Sequence, residues 1–72
     1  MTLALMVDFN GVKDGLVAGL LEEIKGSGKL EPGEPIALYD GEGNKAQGSI
    51  DRVDKERKLV FAKIDWPTWS EA

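Results

Sequence analysis

Three stretches between residues 34 and 64 alternate apolar and polar side chains, and polar turns separate them. Alternation with a period of two residues is typical of β-strands that bury one face. The stretches therefore predict an antiparallel meander with strands over 35–40, 45–53 and 58–64. Their main apolar residues are Ile36, Leu38, Tyr39, Ile50, Val53, Leu59, Val60, Phe61 and Ile64, and the turns between them are 40–44 and 54–57.

The N-terminal part of the chain is less uniform in its pattern. Residues 2–9, TLALMVDF, alternate and predict another strand. Residues 12–25 have an apolar stripe at spacings of three and four, as in an amphipathic helix. They also contain Gly15 and Gly19, and each glycine destabilises a helix interior by about 1 kcal/mol relative to alanine. Because glycine relieves crowding where a small sheet bends, a strand over 16–24 is favoured and the helix is the alternative.

These segments together predict an all-β fold in a single small domain, 1–72, with residues 65–72 as a C-terminal tail. Five antiparallel strands would form a meander that is a strongly bent sheet or a small barrel. The alternative is an α+β fold, in which a helix over 12–25 packs on a four-stranded antiparallel sheet. The predicted core contains Leu3, Leu5, Val7, Leu20, Ile36, Leu38, Ile50, Leu59, Phe61 and Ile64.

The residue types that are absent exclude several kinds of site. The chain has no cysteine and no histidine, so it cannot form thiolate or imidazole metal sites or use these residues as nucleophiles or bases. Asp40, Glu42 and Asn44 alternate like the start of a calcium loop, but Lys45 and Asp51 occupy the positions that require glycine and glutamate. A hairpin turn is the favoured interpretation, and we expect no enzyme activity, cofactor or metal.

Charge argues against two classes of partner. The net charge is −4 at pH 7 and the isoelectric point is about 4.6, which disfavours binding to nucleic acids and to anionic membranes. No apolar run approaches the roughly 20 residues that a membrane-spanning helix requires. The apolar N-terminus lacks the basic residues of a signal peptide. These features predict a soluble cytoplasmic protein.

Two tryptophans, Trp66 and Trp69, lie three residues apart beside Pro67. Exposed aromatic side chains often anchor protein partners, whereas in a small domain the same rings can also close one end of the core. We therefore predict a non-catalytic interaction module that binds a protein or peptide through Trp66, Trp69 and Tyr39.

The charged segment around the second turn suggests an alternative function. Arg52, Lys55, Arg57 and Lys58 could contact a single-stranded nucleic acid, although the acidic composition makes this partner less favourable. Self-association is a further prediction, because strand 2–9 is long, apolar and expected at a sheet edge, where it could pair with a second copy.

Overall fold

The computed structural model describes residues 2–71, which form five strands and no α-helix, so the all-β prediction is confirmed. The strands are β1 Leu3–Met6, β2 Leu16–Leu20, β3 Pro35–Tyr39, β4 Lys45–Asp54 and β5 Leu59–Ser70. Short 3₁₀ turns at Phe9–Gly11 and Leu21–Glu23 follow β1 and β2. Within 2–71, no helix has the length and apolar character to cross a membrane. The predicted domain also included Met1 and Ala72, which lie outside the described residues.

The five strands form one mixed sheet with the order β1-β3-β4-β5-β2. The predicted antiparallel meander is confirmed for β3, β4 and β5. The prediction that all five strands follow one another as an antiparallel meander is wrong, because β1 lies parallel to β3, with Leu5 opposite Leu38. The meander has two free edges, and each N-terminal strand covers one of them: β1 pairs with β3, and β2 pairs with β5.

The sheet curves until its outer strands approach each other, but it does not close into a barrel. Ala4 and Lys25 exchange two backbone hydrogen bonds of 2.7 and 2.9 Å, which join β1 to the segment after β2. β1 and β2 also approach each other at Gly19 of β2, where an added Cβ would lie 2.7 Å from Cγ of Leu5 in β1. Since only glycine fits so close to Leu5, the curvature depends on this position.

The ambiguous segment 12–25 contains a turn and a strand, and the helical alternative is wrong. Lys13 and Leu16 exchange two backbone hydrogen bonds of 3.0 Å around a two-residue turn. Asp14 and Gly15, at the centre of this turn, have positive φ angles of 55° and 77°, as tight hairpin turns require. The strand ends at Leu20 and not at residue 24, because the chain then turns into the 3₁₀ segment Leu21–Glu23.

The core lies on the concave side of the curved sheet. Its buried residues are Leu3, Leu5, Val7, Val17, Ile36, Leu38, Ala46, Ile50, Val60, Ala62 and Ile64. The prediction that Leu59 and Phe61 belong to the core is wrong. Ile64 faces inward, and because side chains alternate along β5, Val60 and Ala62 face inward as well. Leu20 is also outside the core and 44% exposed, because Val17 and Gly19 are the inward positions of β2.

Candidate functional site

The last strand contains an irregular segment that presents the tryptophans. We predicted that this strand ends at Ile64, which is wrong, because β5 continues to Ser70. Asp65 lies opposite Gln47 and Ser70 lies opposite Lys45, so residues 66–69 face Ala46 alone. Pro67 has no N–H group to donate, and the ladder of backbone hydrogen bonds is interrupted around it. The strand therefore bulges at residues 66–69, which we name the β5 bulge.

The hydroxyl group of Thr68 stabilises the β5 bulge. Its Oγ1 accepts a 2.7 Å hydrogen bond from the backbone N–H of Gln47 and donates a 2.6 Å hydrogen bond to the carbonyl oxygen of Asp65. These two backbone groups lie where the regular ladder is interrupted, and backbone polar groups are costly to leave without partners. One side chain thus bridges β4 and β5 and fixes the conformation of the segment that carries Trp66.

Trp66, Trp69 and Phe9 form a cluster, which we name the aromatic surface. The ring centroids of Trp66 and Trp69 are 6.0 Å apart with an interplanar angle of 53°. Trp69 in turn contacts Phe9 edge to face, with centroids 4.6 Å apart. Phe9 belongs to the 3₁₀ turn after β1, so the cluster joins the two ends of the chain.

The two tryptophans have different environments. Trp69 and Phe9 are partly buried and pack against the core, so Trp69 covers one end of the sheet. Its indole Nε1 donates a 3.4 Å hydrogen bond to Oε1 of Glu71. Trp66 lies on the outer side of this pair and is 48% exposed. Trp69 thus closes one end of the core, and Trp66 is the exposed aromatic side chain.

Tyr39, which we grouped with the tryptophans, lies elsewhere. It occupies the outer face of β3 and is partly buried. It lines a cleft of about 230 Å³ together with Met6, Glu22, Glu23 and Lys25. Among residues 2–71, the ring contacts of Trp66 and Trp69 involve each other and Phe9, and not Tyr39. Sequence reasoning missed Phe9, although its position at the end of the alternating segment 2–9 marked it as an inward residue.

The basic residues of the alternative site lie in two places. The guanidinium carbon of Arg52 lies 4.4 Å from the centroid of the Phe61 ring, on the outer face of the sheet. Both side chains line a groove of about 360 Å³. Lys55, Arg57 and Lys58 lie in the exposed turn between β4 and β5. Nε of Arg57 is 3.9 Å from Oδ2 of Asp54, so part of its charge is neutralised within the turn.

Asp40 organises the turn between β3 and β4. Its Oδ1 accepts backbone hydrogen bonds from Glu42 at 2.9 Å and from Asn44 at 3.0 Å, and its Oδ2 accepts a 2.9 Å bond from Nδ2 of Asn44. The side-chain amide of Asn44 is the main cause that lowers the pKa of Asp40, and the backbone N–H groups lower it further. This carboxylate therefore stabilises the hairpin turn that the sequence predicted.

Comparison with other proteins does not assign the chain to a family. No family model matches it, and no curated protein or solved structure is detectably similar to it. A small curved β-sheet serves many unrelated functions, so the fold alone assigns none of them. Function therefore has to be inferred from the chain's own side chains.

Proposed function

We propose that this domain is a non-catalytic interaction module that binds a peptide segment of a partner protein at the aromatic surface. The observation that carries the proposal is the exposure of Trp66, which is 48% accessible while it packs beside Trp69. Tryptophan is among the residues that contribute most to protein interfaces, because one rigid side chain supplies a large apolar contact area.

The rigidity of the aromatic surface also supports this function. Thr68 fixes the β5 bulge through Gln47 and Asp65, and Phe9 supports Trp69 from the core side. A binding surface that is already ordered loses little conformational entropy when a ligand arrives, so more of the contact energy contributes to affinity. The absence of histidine and cysteine agrees with a binding role, since these residues supply many catalytic groups.

Substitution of each tryptophan by alanine tests the proposal. Trp66→Ala should leave the fold intact and weaken peptide binding by about tenfold or more, because an exposed anchor contributes to the complex only. Trp69→Ala should lower the free energy of unfolding by about 2–4 kcal/mol, because it removes a partly buried ring that covers the core. Urea denaturation measures stability, and peptides selected from a displayed random library on the unmodified domain provide the binding probe.

The matched control is Leu30→Ala, which removes another exposed apolar side chain, 43% accessible, in the loop before β3. It should change neither stability nor the binding of the selected peptides. If the peptides bind the Trp66→Ala variant as well as the unmodified domain, the aromatic surface is not their site and the proposed function is wrong.

Single-stranded nucleic acid is the second candidate partner, supported by the exposed Arg52 beside Phe61. Bases stack on aromatic rings and on guanidinium planes, and cationic side chains contact phosphates. Titration with a labelled oligonucleotide at about 50 mM salt tests it, because electrostatic affinity is large under that condition. Absence of binding there would eliminate this function.

A further inference from the structure

Acidic residues concentrate at the end of the molecule that carries the aromatic surface. The segments 7–15, 40–45 and 65–71 contain six acidic and two basic residues, for a net charge of −4. All other positions together contain seven acidic and seven basic residues, for a net charge of zero. The parallel strands β1 and β3 both end on this side, where β4 begins and β5 finishes, so the fold brings these segments together. We name this region the acidic end.

Carboxylates of the acidic end lie next to the aromatic rings. Oε1 of Glu71 is 3.4 Å from the indole nitrogen of Trp69. Asp8, which precedes Phe9 in the chain, lines a cleft of about 390 Å³ with Asp40 and Glu42. An aromatic surface with a carboxylate at Trp69 and acidic residues close to Phe9 in the chain favours a ligand that combines apolar contact with positive charge, and it disfavours acidic ligands.

A positively charged side chain also fits the exposed ring itself. Lysine and arginine interact with the face of an indole through cation–π attraction, of about 0.5–1 kcal/mol at exposed sites and about 2 kcal/mol when desolvated. Within residues 2–71, the cation that lies over an aromatic ring is Arg52, and its ring is Phe61. The Trp66 ring has no such partner among these residues, so its face is available to a cation from another molecule.

We propose that the ligand of the aromatic surface is a basic peptide segment, with a lysine or arginine side chain over the Trp66 indole and its neighbouring charges facing the acidic end. This inference rests on the proposed function and specifies the chemistry of the partner. The methylene groups of the basic side chain contact the ring while its charged head remains near the carboxylates and water. The negative potential of the acidic end accelerates the encounter with such a segment.

Three synthetic peptides of equal length test the inference. One is rich in lysine and arginine, one is rich in glutamate and one is neutral, and none contains tryptophan. Binding is followed by the fluorescence of the domain and by the amide and indole NMR signals of Trp66. The basic peptide should bind, and its affinity should fall about tenfold between 50 and 200 mM salt, because salt screens exposed charges. Trp66→Ala should abolish this binding.

Two triple variants separate the acidic end from general charge. Glu42→Gln/Asp65→Asn/Glu71→Gln neutralises three carboxylates at the acidic end, and the amide at residue 71 can still accept the bond from Trp69. Glu31→Gln/Asp51→Asn/Glu56→Gln changes the net charge equally at exposed positions outside it. The first variant should weaken binding of the basic peptide at least fivefold, and the control should weaken it less than twofold.

Each other outcome overturns a defined part of the interpretation. If the neutral or acidic peptide binds as well as the basic one and Trp66→Ala abolishes it, the preference for basic ligands is wrong and the proposed function stands. If both triple variants weaken binding equally, net charge attracts the peptide and the acidic end is not its site. If the three peptides leave the Trp66 signals unchanged and the library-selected peptides perturb them, the preference for basic ligands is wrong and the proposed function stands; if the selected peptides also leave them unchanged, both proposals fail.

Discussion

At the scale of single residues, Thr68 shows how one hydroxyl group can replace part of a strand ladder. Pro67 removes a backbone donor from β5, and Oγ1 of Thr68 bonds to Gln47 of the neighbouring strand instead. The same oxygen donates to Asp65, so the chain on both sides of the proline is fixed. Trp66 lies in the segment between Asp65 and Thr68 that this hydrogen bond closes.

Thr68→Val should destabilise the domain by about 1–2 kcal/mol, because valine has nearly the same shape but leaves the N–H of Gln47 without this acceptor. Thr68→Ser is the matched control, since it keeps the hydroxyl group and should stay within about 0.5 kcal/mol of the unmodified chain. Urea denaturation gives both values. Equal stability of the valine and serine variants would show that the hydroxyl bond does not stabilise the β5 bulge.

At the scale of elements, the close pairing of β4 and β5 depends on Gly48. A Cβ atom at this position would collide with the carbonyl oxygen of Lys63, which lies on the opposite strand. Cδ1 of Leu38 also approaches the same point, at 3.0 Å from the added atom, so a shift of Gly48 away from Lys63 is hindered by this side chain.

Gly48→Ala should therefore lower the free energy of unfolding by about 1–3 kcal/mol, the usual cost of overpacking that forces backbone shifts. Gly41→Ala provides the matched control, because an added Cβ there meets no atom within 4 Å and its φ angle is not positive. Thermal unfolding of the two variants compares them directly. A Gly48→Ala variant as stable as Gly41→Ala would mean that the strands are less tightly paired than the structure describes.

The elements that sequence predicted well are those whose pairing is local. The hairpins of β3, β4 and β5 follow from alternation and turn residues such as Asp40, which need only neighbouring segments. The parallel partner of β1 did not follow, because pairing between distant segments leaves no local pattern. Phe61 was assigned to the core, but Ile64 points inward and the alternation of β5 therefore turns Phe61 outward, where it lies under Arg52.

The candidate site was partly predictable for the same reason. Trp66 and Trp69 are three residues apart, so their proximity could be expected from sequence. Phe9 comes from the other end of the chain, and no local pattern predicts its contact with Trp69. Tyr39 was assigned to the site by residue type alone, although alternation with the core residues Ile36 and Leu38 already placed it on the outer face of β3.

At the scale of the whole molecule, the acidic end affects stability as well as binding. Six carboxylates in three adjacent segments repel one another in the folded chain and separate when it unfolds. Added salt reduces this repulsion, because the Debye length falls to about 10 Å at 0.1 M. Because a 72-residue chain has a small core and modest stability, a small electrostatic contribution to its free energy of unfolding is measurable.

The midpoint of thermal unfolding should therefore rise by a few degrees between low and moderate salt, since about 1 kcal/mol shifts it by roughly 4–8 °C in a domain of this size. Glu42→Gln/Asp65→Asn/Glu71→Gln should raise the midpoint at low salt and reduce its dependence on salt. The control triple variant outside the acidic end should keep the dependence of the unmodified chain. Identical salt curves for both variants would refute the repulsion at this end.

The parallel pairing of β1 with β3 also determines the order in which the protein assembles during synthesis. β1 leaves the ribosome first, but Leu38, the register partner of Leu5, is translated much later. Leu5 therefore has no partner strand while the intervening residues are made. The strands β3, β4 and β5, by contrast, pair with neighbours that directly follow or precede them in the chain. Because contacts between distant segments form slowly, the pairing of β1 with β3 and of β2 with β5 is expected to follow formation of the meander.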